Sequence, residues 1–177
     1  MIIRPVKHQD RDEILWLLEQ TGVFNEKEIL VALQVFEDAT QKADKGEYLA
    51  FCASGESEHL LGYICFGPIT VTDSCYDLYW IAVDKNIVRK QVGRTLLSFM
   101  EEYLAGMGAR RVYVETSSTT AYEPARSFYE KNGYKLVCTL NDFYRSGDHR
   151  MVYMKDVQKG VSHWAEIECA GQDSRNN

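Results

Sequence analysis

Three stretches of the chain hold residue types whose spacing could do chemistry. In the first, the apolar run Leu78-Tyr79-Trp80-Ile81-Ala82-Val83 leads through a short basic turn into Val92-Gly93-Arg94-Thr95-Leu96-Leu97, the start of an amphipathic helix. A helix start presents unpaired N–H groups and a partial positive charge, and Arg89, Lys90 and Arg94 add full charges, so the turn is a ready anion site. Gly93, lacking a Cβ, would let a ligand approach the backbone. The turn matches neither G-x-x-x-x-G-K-[ST] nor G-x-G-x-x-G, which sets aside those two phosphate-binding classes. A plain strand–helix connection with a solvated basic edge is the structural alternative. The second feature is Asp77, in the same apolar strand, where desolvation would raise its pKa and suit it to act as a base. A strand aspartate held by a backbone N–H or an arginine is the alternative, and Glu115 on a later strand is a second candidate base. The third is Asn141-Asp142-Phe143-Tyr144-Arg145-Ser146-Gly147-Asp148-His149, which gathers aromatic, acidic and basic groups in what reads as a loop.

These groups must be positioned by one domain. The chain has 177 residues, 45% hydrophobic, and a domain of that size buries about 70% of its unfolded surface without needing a disulfide or metal. The net charge of −6 argues against a nucleic-acid binder, which needs a basic surplus. No apolar run approaches the ~18 residues of a membrane span, and the amino-terminal residues lack a signal-peptide pattern. The 5 cysteines are scattered, with no C-x-x-C and no clustered histidines, so neither a disulfide scaffold nor a metal site is expected. The expected setting is cytoplasmic, with no membrane or nucleic-acid partner.

Periodicity and punctuation predict the order β-α-α-β-β-β-α-β-α-β-β. A strand over 2–6 precedes a helix capped by Asp10 with Glu13 at the capping-box spacing; Asn25 and Glu28 repeat that signal for a second helix, ending at Gly46. Strands 48–53 and 60–66 read as a hairpin, Gly67-Pro68 interrupts, and strand 75–83 feeds a helix over 92–107. Strand 111–116 is followed by a helix that Pro124 opens and Asn132-Gly133 ends. On that helix Phe128 is expected in the core, with Tyr129 pointing elsewhere. Strands 134–139 and 150–154 close a mixed α/β sheet with helices on both faces. Residues 1–157 are expected to form the domain and 158–177 a tail, whose Trp164 and Ile167 could dock on the body.

The strand end Ile81-Ala82-Val83-Asp84, the helix start Val92-Gly93-Arg94-Thr95-Leu96-Leu97 and the segment Ala125…Phe128-Tyr129-Glu130-Lys131-Asn132-Gly133-Tyr134, in this order, resemble the GNAT N-acetyltransferase superfamily over residues 1 to about 156. The resemblance implies acetyl-CoA as co-substrate, no metal, and a primary amine as acceptor. It implies that a bulged fourth strand offers backbone N–H groups at Ile81, Ala82 and Val83 to the pantetheine arm. It places the pyrophosphate on the amides of Val88, Arg89, Lys90, Gln91, Val92, Gly93, Arg94 and Thr95, and Ala125 and Arg126 near the cofactor. The family pattern Gln/Arg-x-x-Gly-x-Gly/Ala falls on Val88, Gln91 and Gly93, so only the last glycine is kept; a left-handed φ at Gln91 would cost about 1 kcal/mol. Tyr122 stands where many members carry Asn. By the same resemblance Tyr129 is the acid that meets the departing thiolate, and Asp77, Glu115 or a water chain deprotonates the amine. Phe24 and Tyr79, with Phe143 and Tyr144, are expected to face the acceptor. An acyl-CoA-binding sensor with this fold is the rival reading, and a homodimer is left open.

Overall fold

Side chains on β2 (Leu49–Ser54) and β3 (Leu60–Pro68) are apolar toward both faces of the sheet, so both faces must be covered. Phe51, Ala53, Ile64 and Phe66 enter one buried cluster, while Ala50, Cys52, Tyr63 and Cys65 enter another. The first is closed by α3 (Val92–Gly106) through Val92, Leu96, Leu97, Phe99, Met100 and Leu104, and the second by α1 (Arg11–Gln20) and α2 (Glu26–Gln41) through Ile14, Leu17, Leu18, Leu33 and Phe36. These observations come from a computed structural model that describes residues 1–41, 47–55, 59–87 and 91–157. The end of the second helix at Gly46 and the tail 158–177 lie outside the described residues.

The remaining strands are β1 (Ile2–Pro5), β4 (Cys75–Val83), β5 (Arg111–Ser117), β6 (Lys135–Arg145) and β7 (Asp148–Asp156), with α4 (Glu123–Lys131) between β5 and β6. They form one seven-stranded sheet in the order β1-β2-β3-β4-β5-β7-β6. Among the described residues β4 and β5 pair in parallel and every other neighbouring pair is antiparallel. No helix among the described residues is long and apolar enough to cross a membrane.

The element order agrees with the sequence reading, and the differences are local. Asn25 caps α2 as expected, its Oδ1 accepting from the amides of Lys27 and Glu28 at 3.0 and 3.1 Å while Glu28 accepts from the Asn25 amide at 2.7 Å. Asp10 does not cap α1 with its side chain. Its carboxylate instead takes a fork from Arg4 (2.7 and 2.9 Å) and the Lys7 amide (2.7 Å), which ties β1 to the first helix. Glu13 is drawn across to the start of β3, where it accepts from the Leu60 amide at 2.8 Å. Gly67 and Pro68 do not interrupt β3 but complete it. The segment 141–149 is no loop. It is the tip of a long β6–β7 hairpin, in which Arg145 faces Asp148 across Ser146-Gly147 and Gly147 takes φ +78°. Asp142, at φ 52°, absorbs the register irregularity there.

Burial pushes the Asp10 carboxyl up, but the Arg4 fork and the Lys7 amide outweigh it and leave the pKa below the ordinary value. Its contribution to stability is therefore full at neutral pH and is lost as pH falls through the lowered pKa. Asp10→Asn should destabilise the fold by about 2 kcal/mol at pH 7. In urea melts the gap between variant and wild type should close as pH drops toward 3.

Candidate active site

The centre of the sheet is shaped by one residue. Cys65 on β3 faces Trp80 on β4, yet the next residue, Phe66, faces Leu78, so Tyr79 is an extra, bulged residue. A bulge reverses which way the following side chains point. Before it, Tyr76 and Leu78 point into the α3 cluster; after it, Ile81 and Val83 pack there, and Trp80 and Ala82 join the α1–α2 side. Simple alternation would put Asp77, Tyr79 and Ile81 on one face until a bulge interrupts, and the bulge does so, sending Ile81 to the α3 side and leaving Asp77 on the other. Beside the bulge, β4 leaves β5. Their pairing runs from Cys75↔Arg111 to Leu78↔Val114 and stops, although β4 continues to Val83 and β5 to Ser117. Beyond Leu78, β4 keeps β3 as its ladder partner and β5 keeps β7. The edge of β4 over Ile81, Ala82 and Val83 thus turns toward a gap, with no strand among the described residues to pair it.

On the α1–α2 side of this gap stand the acid and aromatic residues. Asp77 is half-buried, and desolvation holds its carboxyl above the ordinary value although Arg150 pulls the other way. Tyr79 is partly exposed; burial first, then Asp77, Tyr48 and Cys65, push its phenol up to about 12. Its ring meets Tyr48 edge-on at 5.4 Å. Room for that ring comes from Gly67, where an added Cβ would lie 3.1 Å from Tyr79 and 2.2 Å from the Glu47 carbonyl. Glu115 is ion-paired with Arg150, whose guanidinium lies 4.8 Å over the Phe143 ring. Phe24, from the connection between α1 and α2, packs edge-on against Trp80 at 5.3 Å. Tyr144 is exposed on the hairpin, where Asp148 and Glu28 are close enough to help burial raise its phenol.

On the other side the gap meets two helix ends. Gln91, the N-cap of α3, adopts φ 48° and ψ 27°, the left-handed conformation that glycine takes easily. In the first turn the amides of Val92, Gly93 and Arg94 have no acceptor within the helix, as geometry requires. The Thr95 amide differs: it donates to the Gln91 carbonyl at 2.9 Å, and its hydroxyl donates there too. Gly93 does not present its bare face to the gap. An added Cβ would touch Val83 at 3.4 Å and Phe128 at 3.5 Å, so its small size serves the packing of α3 on β4 and α4. Val88, Arg89 and Lys90 lie outside the described residues.

Ala125 packs against the α3 cluster from α4. Arg126 is tied to the chain itself, donating to the carbonyls of Ser117 and Thr119 at 2.7 and 2.8 Å and so fixing the end of β5. The expectation for Phe128 and Tyr129 is reversed. Tyr129 is the buried one, its ring 5.5, 5.9 and 6.3 Å from those of Phe128, Tyr134 and Tyr153, and Phe128 is only partly covered. The helix is so short that its inward face is set by the aromatic layer from β7 and the Gly133 turn rather than by hydrophobicity. Burial alone raises the Tyr129 phenol well above its ordinary value.

Residues that sequence reasoning passed over complete the site. Arg150 and Trp80 had no local motif. Tyr122, which the sequence had already singled out, donates to Glu28 at 3.2 Å and joins the start of α4 to the start of α2. Tyr48 could have been found only from its pairing with the bulge.

Residues 11–134 match the model of the acetyltransferase (GNAT) family. A crystal structure of a putative GNAT acetyltransferase from Desulfovibrio desulfuricans is 32% identical, with a TM-score of 0.84 over 89% of this chain and 99% of that one. An aminoglycoside 6'-N-acetyltransferase complexed with coenzyme A shares the fold at 19% identity (TM-score 0.66, 91% and 99% covered). So does the ribosomal-protein-S18-alanine N-acetyltransferase of Escherichia coli at 15% (TM-score 0.70, 92% and 97% covered). No curated protein matches the chain. With more than half its length matched by the family model, and its fold matched almost end to end, the chain belongs to the GNAT family of acetyltransferases.

Proposed function

We propose that this protein transfers the acetyl group of acetyl-CoA to a primary amine by direct attack, with both substrates held at the gap between β4 and β5. The parting of these strands after Leu78 and Val114 carries the reading. It leaves a strand edge at Ile81–Val83 that an extended chain with amide groups can pair with, as an added strand would. Acetyl-CoA supplies an activated thioester carbonyl. The first-turn amides of α3, at Val92, Gly93 and Arg94, suit an anionic diphosphate, and the left-handed Gln91 turns the chain so that they face one way.

The amine must lose a proton before it can attack, since its pKa lies near ~10. Asp77 is our choice of base. It is half-buried beside the gap and its raised pKa brings it nearer to neutral. Glu115 is already committed to Arg150. Tyr129 stays protonated at any neutral pH because burial raises its phenol. Its role is to donate a hydrogen bond to the departing thiolate; full transfer of its proton would run uphill from so weak an acid. The acceptor binds among Phe24, Trp80, Tyr48, Tyr79, Phe143 and Tyr144, aromatic faces that suit an ammonium group.

A screen of an amine library for acetyl-CoA-dependent thiol release tests the activity, and a sensor that binds CoA without turnover would show none. Asp77→Asn should lower kcat/KM by about 10²-fold or more. In the wild type kcat/KM should fall toward acid as Asp77 takes up its proton, with a midpoint above the ordinary carboxylate value. Tyr129→Phe should lower kcat roughly 10- to 100-fold with acetyl-CoA KM nearly unchanged. Gly93→Ala should keep the calorimetric CoA affinity and gain up to about 1 kcal/mol of stability, because the new methyl meets its neighbours at ordinary contact distance.

A further inference from the structure

Two carboxylates, Asp77 on β4 and Glu115 on β5, share the α1–α2 side of the sheet, and Asp77 is registered against Tyr113, two residues before Glu115. Arg150 projects from β7 onto the same face: it lies opposite Ser117, two residues beyond Glu115. The guanidinium pairs with Glu115, is stacked on Phe143 from the hairpin, and is close enough to Asp77 to act on its charge. Its Nε is buried with no hydrogen-bond partner among the described residues. One cation thus stands between two acids with a donor to spare, held from above by an aromatic ring.

We propose that Arg150 is a positioning residue that sorts the two carboxylates, binding Glu115 in an ion pair so that Asp77 alone is free to face the acceptor amine. This rests on the reading of Asp77 as the base. Geometry makes the division. An arginine fork prefers one carboxylate in its plane, and the Phe143 ring limits how far the guanidinium can swing toward Asp77. Without Arg150, Glu115 would be a second free carboxylate on this face, and each acid would disfavour ionisation of the other. Without Glu115, the whole guanidinium charge would be available to Asp77, which would then sit in an ion pair and be a poorer base.

Opposite shifts from two variants follow, which a merely structural role would not give. The groups around Asp77 are Tyr79 on its own strand with Tyr48 and Cys65 behind it, Tyr113 and Glu115 on β5, and Arg150 on β7. The carboxyl carbon of Asp77 would be titrated by NMR in aspartate-labelled protein, its signal assigned by loss in Asp77→Asn. Arg150→Gln should move the midpoint up and Glu115→Gln should move it down; Arg150→Lys, which keeps the charge, should restore part of the wild-type value. The acid limb of kcat/KM, measured with the best acceptor of the amine screen, should follow the same directions, with acetyl-CoA KM unchanged. Should Arg150→Gln fail to fold, Glu115→Gln and Arg150→Lys still decide the matter. Shifts in one direction, or none, while Asp77→Asn abolishes turnover would overturn the proposal and leave the base in place. Full turnover by Asp77→Asn would remove the base and this proposal together.

Discussion

Everything at the centre of this protein depends on one extra residue in a strand. Tyr79 has no partner of its own on β3, so β4 must bend and twist to keep its ladder there. The bent strand cannot also follow β5. A sheet that lost its ladder at this point without compensation would pay in unsatisfied backbone groups, since an unpaired buried N–H or C=O costs about 1–3 kcal/mol. The separation persists because β3 and β7 hold the two strands from their far sides, over Gly62–Pro68 and Arg150–Asp156 respectively. The gap therefore leaves one edge of β4 without a strand partner among the described residues, and in the proposed reaction an extended ligand with amide groups would pair with it.

The reversal of side chains at the bulge has an electrostatic consequence. Ahead of it Leu78 points into the mixed aliphatic and aromatic cluster under α3 and Asp77 away from it; past it Val83 enters that cluster while Trp80 turns to the other side. The α3 face stays apolar along the whole strand, and the acid, the tyrosine and the tryptophan are gathered on the α1–α2 face. There desolvation raises the Asp77 carboxyl above its ordinary value while the Arg150 charge pulls it back. The α3 side offers backbone amides and a positive helix end instead. In the proposed reaction the anionic cofactor and the cationic acceptor therefore meet opposite faces of β4.

The features that sequence could reveal were those with local causes. Asn25 with Glu28, the left-handed Gly133, the helix that opens at Val92 and the strand that feeds it are each encoded within a few residues, and each is present. Gln91 in a left-handed conformation was legible only through the resemblance, since nothing in glutamine asks for it. What sequence concealed were long-range partners. Asp10 has the right spacing for a cap, but Arg4 competes for its carboxylate with a bidentate fork that a cap cannot match. Arg126 looks like a free cation beside a cofactor until the carbonyls of Ser117 and Thr119 are seen to claim it. Arg150 reads as an ordinary strand residue; its place between two acids depends on the β5–β7 register, which no local pattern states.

The two halves of the site are built from different kinds of structure, and this divides their freedom to change. The α3 side is a packed layer in which Gly93, Val83 and Phe128 meet at contact distance, and Tyr129 lies against Tyr134 and Tyr153. Altering one of the large side chains here disturbs its neighbours, because a close-packed interior has no slack, and at Gly93 there is room for a methyl group and little more. The α1–α2 side is assembled from chain ends and turns: Phe24 from a helix connection, Tyr48 from the approach to β2, Phe143 and Tyr144 from the tip of a hairpin. Both hairpin aromatics are about half exposed, at 51% and 49%, so new side chains there need not be accommodated by a core. Under the proposed function, acceptor preference would drift by substitution at these positions while the packed α3 side stays fixed. Arg150 is the exception: it stands on the variable side but is bonded to β5 and stacked on the hairpin. A change in the hairpin that displaced Phe143 would reach the carboxylates through it.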